Sequence, residues 1–215
     1  MTKQSPVSQA LRGEGVRLRV LKTPLLTAHV VRQNRWVDML ETIDAGPITL
    51  QRWTVDRADS LNQAINESLP ELMLFLPWAT TDHGMNDTLG YLQRSSVEWD
   101  NGENFSFAMV TPEGDVVGSG GLLGRQGPGV LEIGYWVHSA HTSRGLATAA
   151  VLALAEAGLE WPGIDHVEIH HDVENHASGR VAAKAGFQEL GVIPAERQAP
   201  RDSGTDLVWA RNSPR

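Results

Sequence analysis

The chain has 215 residues, a formal net charge of −8 at pH 7 and no cysteine. The lack of cysteine excludes disulfides, a thiol nucleophile, an acyl-cysteine intermediate and cysteine-ligated metal sites. The acidic balance argues against general nucleic-acid binding. The sequence has neither an apolar run of about 20 residues nor the layout of a signal peptide, which predicts a cytoplasmic protein with no membrane partner.

Two parts are distinguished by their patterning: residues 1–45 and residues 46–215. The first part has little apolar periodicity and is predicted to be an N-terminal tail or arm of unknown role. We expect it to pack on the rest of the chain or on a second subunit, so a homodimer is one possible assembly. The length and composition of the chain agree with one globular domain.

From residue 48 onward, the order of strands and helices can be predicted from the sequence. The predicted strands cover residues 48–53, 104–110, 116–123, a segment around Glu132, 164–171, a segment after Phe187, and 206–210. The predicted helices cover residues 56–67, 83–99, 145–160 and 178–185. The third of these helices is apolar on nearly every side, so it should be covered by the sheet.

The most informative segment is the strand Leu131–Val137, which leads through His141-Thr-Ser-Arg-Gly-Leu-Ala-Thr148 into that apolar helix. A glycine turn before a helix leaves the first backbone N–H groups without partners and places them at the positive end of the helix dipole. Gly145 lets the chain approach an anion closely, Ala147 keeps the next position small, and Arg144 adds a cation. The segment therefore predicts a phosphate-binding turn.

A second segment, His170-His-Asp-Val-Glu-Asn-His-Ala-Ser178, follows a β-rich run and leads into a short helix. That helix ends at Gly186-Phe187. Glycine at this place is typical of a left-handed C-terminal cap, after which the next strand begins.

Together the two segments resemble the GNAT N-acetyltransferase superfamily, in particular its RimJ/RimL-like branch. The family's pyrophosphate loop, Gln/Arg-x-x-Gly-x-Gly/Ala, is similar to Thr142-Ser-Arg-Gly-Leu-Ala147, with Thr142 in the first slot. The branch's Asn-x-x-Ser and Lys-x-Gly-Phe patterns, its Glu-Ile-Gly-Tyr-Trp run and its Pro-Trp pair are also present. They are carried by Asn175, Ser178, Lys184, Gly186, Phe187, Glu132–Trp136 and Pro77-Trp78. The resemblance covers roughly residues 47–194 and is specific only in combination.

This resemblance implies a GNAT-like α/β (α+β) fold, with a mixed, largely antiparallel sheet flanked by helices. Acetyl-CoA is expected in the gap between two splayed central strands, with no metal. The implied cofactor contacts are Trp136, Val137, Arg144, Gly145, Leu146, Ala147, Thr148 and Asn175. Asn175 is the least distinctive of them, since an Asx turn also explains it.

The resemblance nominates Glu132 as the general base, and the alternative is a solvent-facing glutamate or one paired with Arg or Lys. His170 is the rival base, because an imidazole titrates in the right range. Ser178 is the candidate general acid, although a serine in a first helical turn is often only a cap. Many family members carry a tyrosine acid four residues further along, where this chain has Ala182.

Trp78 lies where the resemblance implies an acceptor cleft, and its ring is suited to holding an amine. The expected function is therefore direct transfer of an acetyl group from acetyl-CoA to a primary amine, either a protein N-terminus or a small-molecule amine. The alternative is a non-catalytic acyl-CoA-binding or interaction module of the same fold. The eight histidines lack the spacing of a zinc site.

Overall fold

A computed structural model describes residues 40–212, which form an eight-stranded sheet and five α-helices. Most of the predicted arm, residues 1–39, lies outside the described residues. Residues 42–44, at the end of that arm, form an edge strand of the sheet.

The strands are β1 Thr42–Asp44, β2 Thr49–Arg52, β3 Asn104–Val110, β4 Val116–Leu123, β5 Val130–Val137, β6 His166–Asp172, β7 Gln188–Pro194 and β8 Thr205–Asn212. The helices are α1 Ala58–Asn66, α2 Leu69–Leu72, α3 Met85–Asn101, α4 Leu146–Leu159 and α5 His176–Lys184. Short 3-10 turns precede α1 and α4, at Val55–Arg57 and Ser139–His141.

The strand order in the sheet is β1-β2-β3-β4-β5-β6-β8-β7. Neighbouring strands are antiparallel except for β5 and β6, which are parallel. The predicted fold class, a mixed and largely antiparallel sheet flanked by helices, is confirmed.

The parallel ladder between β5 and β6 is short. It comprises the pairs Val130–His166, Leu131–Val167 and Glu132–Glu168. Beyond Glu132, the remaining residues of β5 pair only with β4 among the described strands. The two strands therefore splay apart, as the resemblance implied.

The hairpin between β3 and β4 turns at Thr111–Asp115, where the Gly114 N–H donates to the Thr111 carbonyl. Gly114 has φ +97°, a conformation that favours glycine. A register shift follows between Met109 and Val110, opposite Gly118. A side chain on Gly118 would lie 2.4 Å from the Trp136 carbonyl oxygen, so a glycine is required for β4 to approach β5 here.

Helices cover both faces of the sheet. The apolar α4 contacts β4, β5 and β6 and buries Val151 and Leu154 against them. On the other face, α1 and α3 pack against β3 and β4 around Trp53 and Leu92. In residues 40–212, no helix is both long and apolar enough to span a membrane.

Candidate active site

A cleft of 970 Å³ lies where the strands splay, and half of the predicted site residues line it. Its lining includes the predicted catalytic residues Glu132, His170 and Ser178. Trp78, Trp136 and Asn175 also line it. Of the other predicted cofactor contacts, Val137 and residues 144–148 are not part of the described lining.

The predicted phosphate-binding turn lies immediately before α4. Gly145 is the N-cap residue, with φ +80° and no side-chain cap, and the position where its Cβ would stand has no heavy atom within 4 Å. The N–H groups of the first turn, Leu146 to Thr148, have no intrahelical acceptor in an α-helix. The Leu146 side chain is buried in the core, so only its backbone can face a ligand at this turn. The geometry is that of an open anion site.

A set of hydrogen bonds that the sequence did not predict holds the segment before this turn. The Ala140 N–H donates to Nδ1 of His138, whose Nε2 lies 2.9 Å from Oε2 of Glu67. Because Nδ1 accepts a hydrogen bond, Nε2 carries the proton and donates to Glu67. The Ser139 N–H also donates to the Ser68 hydroxyl. These contacts connect the turn to the region between α1 and α2.

Arg144 donates from Nη2 to the Ala140 carbonyl oxygen, 3.1 Å away. The guanidinium therefore lies back over its own turn, where it adds positive charge beside the open N–H groups.

Glu132 is buried, with a side-chain exposure of 2%, and its carboxylate is already paired. Arg125 donates from Nε to Oε2, 2.7 Å away, and from Nη2 to Oε1, and Gln126 donates to Oε2 as well. Both oxygens of the carboxylate therefore accept charge-assisted hydrogen bonds. The structure thus presents the paired alternative that the sequence left open.

Glu168 lies beside Glu132 in the β5–β6 ladder, so the two side chains share a face of the sheet. Its oxygens bind two histidines of the same strand, His166 at 2.9 Å and His170 at 2.7 Å, each through Nε2. Burial raises the pKa of Glu168, but the hydrogen bonds from His170 and His166 outweigh it and lower the pKa below its ordinary value. The alternating His-Glu-His pattern was a readable signal for this contact. Among residues 40–212, no cluster of His, Asp and Glu could hold a metal ion.

Ser178 lies in the first turn of α5, and Asn175 is the N-cap residue. The Asn175 side-chain oxygen accepts from the Ser178 N–H at 3.2 Å, so the capping role is filled by Asn175. This cap also starts the helix at His176, two residues earlier than predicted. Ala182, where many family members carry a tyrosine, is fully buried in the core.

A tyrosine contacts Ser178 from the other side of the gap. Tyr135 Oη lies 2.7 Å from Ser178 Oγ and 3.3 Å from the Ser178 carbonyl oxygen. Burial raises the pKa of Tyr135 to about 12, with the Ser178 hydrogen bond acting in the opposite direction. Tyr135 belongs to the Glu-Ile-Gly-Tyr-Trp run, but no sequence pattern assigned it a role.

Three rings meet at the mouth of the cleft. The Trp78 ring is 6.3 Å from the Trp136 ring and 6.1 Å from the His83 ring, in tilted and edge-on arrangements. Trp78 is 43% exposed, so it presents ring surface to a ligand.

The described cleft is acidic. Its lining has the guanidinium groups of Arg94 and Arg125, against six carboxyl groups. The carboxyl groups belong to Asp87, Glu132, Asp172, Glu196, Asp202 and Asp206. Burial, and then the neighbouring Asp172, raise the pKa of Asp206. Such a lining favours a cationic ligand.

A family model described as an acetyltransferase (GNAT) domain matches residues 48–188. The match covers more than half of the chain, which therefore belongs to the GNAT acetyltransferase family. The predicted enzyme class, an N-acetyltransferase that uses acetyl-CoA, is confirmed. No curated protein matches the chain.

Solved structures with this fold include three named acetyltransferases. One is the microcin C7 self-immunity acetyltransferase MccE in complex with acetyl-CoA and AMP, which is 18% identical to this chain with a TM-score of 0.74. The match covers 80% of this chain and 96% of MccE. RimL, a ribosomal L7/L12 alpha-N-protein acetyltransferase in complex with coenzyme A, is 19% identical with a TM-score of 0.74, covering 80% and 98%. RimJ from Mycobacterium smegmatis is 21% identical with a TM-score of 0.71, covering 83% and 89%. At these identities the likeness concerns the fold.

Proposed function

We propose that the chain acetylates a primary amine by direct transfer from acetyl-CoA, and that the amine is the N-terminus of a peptide or protein. The observation that carries the proposal is an acidic cleft that opens onto the gap between β5 and β6 at Ser178. A small-molecule amine is the second candidate acceptor, since the same carboxylates would attract it.

The acceptor side of the proposal rests on the charge and size of the cleft. A protonated amine is drawn to a lining that has six carboxyl groups and two guanidinium groups. The cleft volume of 970 Å³ is at the upper end of the range of about 300–1,000 Å³ that small-molecule sites occupy. The half-exposed Trp78 ring offers apolar surface to the residue that carries the amine. RimL, which shares the fold, is named for acetylation of a protein alpha-amine.

The acetyl-CoA side rests on backbone groups. We place the pyrophosphate at the first turn of α4, against the N–H groups of residues 146–148 beside Gly145 and Arg144. The pantetheine arm would run along Trp136 and Val137 of β5, whose edge beyond Glu132 is unpaired towards β6. Asn175, which caps α5, would act indirectly by fixing the end of the gap.

The proton transfer is assigned to His170. Glu168 accepts from Nε2 of His170, which leaves Nδ1 to take a proton from the attacking amine. Glu132 is assigned a positioning role, because its carboxylate holds Arg125 at the cleft. The amine nitrogen forms the bond to the acetyl carbon, its proton passes to His170, and the C–S bond breaks.

The sulfur leaves as a thiolate. The Ser178 hydroxyl donates a hydrogen bond to it, at the positive end of the α5 dipole. The thiolate takes its final proton from solvent, and no acyl-cysteine can form because the chain has no cysteine.

A thiol-release assay with matched acceptors tests this function. Purified protein and acetyl-CoA are mixed with peptides that have a free N-terminus, with the same peptides already N-acetylated, and with small primary amines. We expect thiol release with the free peptides only, with the acetyl group located at the N-terminus by mass spectrometry. Release only with small amines would move the acceptor to the second candidate. Acetyl-CoA binding without release in any mixture would favour the non-catalytic module.

A further inference from the structure

Ser178 has a hydrogen-bond partner in Tyr135, and the hydroxyl that donates in their contact determines where the Ser178 proton points. Tyr135 Oη is 2.7 Å from Ser178 Oγ but 3.3 Å from the Ser178 carbonyl oxygen, so the shorter and stronger contact is the one between the hydroxyls. If Tyr135 is the donor in that contact, the Ser178 hydroxyl proton is free to point elsewhere.

Three further observations bear on this contact. The Ser178 N–H is held by Asn175, so the serine hydroxyl is not needed as a helix cap. Tyr135 is three residues beyond the last β5–β6 ladder pair, at Glu132, so the contact crosses the gap in which the thioester would lie. The raised pKa of Tyr135 keeps the phenol protonated throughout the neutral range, so it has a proton to donate to Ser178 Oγ.

We propose that Tyr135 is a positioning residue: its phenol donates to Ser178 Oγ and thereby directs the Ser178 hydroxyl proton towards the sulfur of CoA. The proposal rests on the role given to Ser178 above. Many family members carry a tyrosine on the helix that corresponds to α5, at the position of the buried Ala182 of this chain. In the proposed arrangement the phenol comes from β5 instead. No proton leaves Tyr135 in this arrangement, so the thiolate is stabilised by a donated hydrogen bond.

The ionisation of bound CoA gives a readout that needs no acceptor. A hydrogen bond donated to a thiolate lowers the pKa of the thiol, so CoA bound to the unaltered protein should ionise at lower pH than free CoA. The thiolate is followed by ultraviolet absorbance, and a blank with desulfo-CoA removes the absorbance of the protein's tyrosines.

We expect Tyr135→Phe and Ser178→Ala each to decrease the ionisation constant of bound CoA roughly tenfold, the effect of one hydrogen bond to a charged group. The double variant should equal Ser178→Ala alone, because the phenol acts through the hydroxyl. Tyr91→Phe is the matched control: Tyr91 is the other tyrosine of the chain, it also lines the cleft, and Ser106 and Ser119 are its hydrogen-bond partners.

The proposal is overturned if Tyr135→Phe leaves the ionisation unchanged while Ser178→Ala alters it, or if the two effects add in the double variant. An unchanged ionisation in Ser178→Ala would overturn both this inference and the role of Ser178. Failure to find an acceptor would instead concern the proposed function alone. Calorimetry with desulfo-CoA shows whether each variant still folds and binds the cofactor body.

Discussion

The turn before α4 and the cleft side of β5 and β6 are both part of one candidate site, yet they are built from different groups. The turn offers backbone N–H groups around Gly145, and the side chain of the adjacent Leu146 is buried in the core. The cleft side of the two strands offers side chains that are paired with one another: Glu132 with Arg125, Glu168 with His170, and Tyr135 with Ser178. A backbone site depends on the path of the chain, while a side-chain site depends on which partners the fold supplies. The two should therefore respond differently to substitution.

The largest effect is expected on the cleft side, from His170→Ala. General-base help contributes about 10²–10⁴ in rate, so kcat/KM should fall by about that factor at neutral pH. The loss should be partly recovered at high pH, where the amine deprotonates by itself. Steady-state kinetics across pH, with the acceptor found in the peptide panel, measures this.

Glu132→Gln is the comparison variant for that experiment. It keeps the shape of the side chain and removes the charge that holds Arg125, so we expect a lower melting temperature and a smaller loss of rate per folded molecule. A greater loss in Glu132→Gln than in His170→Ala, with recovery at high pH, would return the role of base to Glu132.

The second effect concerns the turn. Gly145→Asp should place a carboxylate against the pyrophosphate and weaken CoA binding roughly a hundredfold, of the order of one lost charge-assisted contact plus repulsion. Gly145→Asn is the matched control, because Asn has nearly the same size and also tolerates a left-handed backbone. Calorimetry should show a much smaller loss for Asn. Equal affinity of the two variants for CoA would mean that no phosphate lies at this turn.

The smallest effect concerns Glu168, whose folded-state pKa is lowered by His170 and His166 despite burial. A carboxyl group whose pKa is lower in the folded state contributes its full stabilisation above its unfolded-state pKa of about 4.3. This contribution is lost as the pH falls through the folded-state pKa. At neutral pH the Tm of the unaltered protein should therefore be a few degrees higher than that of Glu168→Gln. A change of about 1 kcal/mol in the free energy of unfolding shifts Tm by roughly 2–4 °C for a protein of this size. Calorimetric melts should show the difference shrinking between pH 5 and the folded pKa. A difference that stays constant over that interval would contradict the assignment.

Much of the fold was predictable, because its signals are local. The hairpin residues Thr111–Asp115 delimit β3 and β4, and both strands have the predicted ends. Gly145 marks the start of α4 because a left-handed residue before the helix favours glycine. The start of α5 was predicted two residues late, at Ser178, because the capping contact of Asn175 is a property of a side-chain rotamer.

The pairing of the site residues was less accessible to sequence reasoning. Arg125 reaches Glu132 from the loop before β5, and Tyr135 reaches Ser178 across 43 residues of sequence. Neither contact leaves a periodic or spacing pattern, since each depends on how strands and helices are placed in space. The His-Glu-His alternation on β6 is the exception, because period two is what places the three side chains on one face.

The short ladder between β5 and β6 divides the sheet into two antiparallel blocks, one of strands β1 to β5 and one of β6, β8 and β7. Most strand pairs within each block form longer ladders, while the ladder between the blocks has three residue pairs, with α4 in contact with strands of both. A cosubstrate lying in the gap would contact both blocks and hold them together. A ligand that binds only the folded state raises the free energy of unfolding by about 2.7 kcal/mol at a concentration of 100 times Kd. Saturating CoA should thus oppose the separation of the two blocks at the β5–β6 ladder. The amide hydrogens of β5 and β6 nearest that ladder should show the first increase in protection from hydrogen exchange.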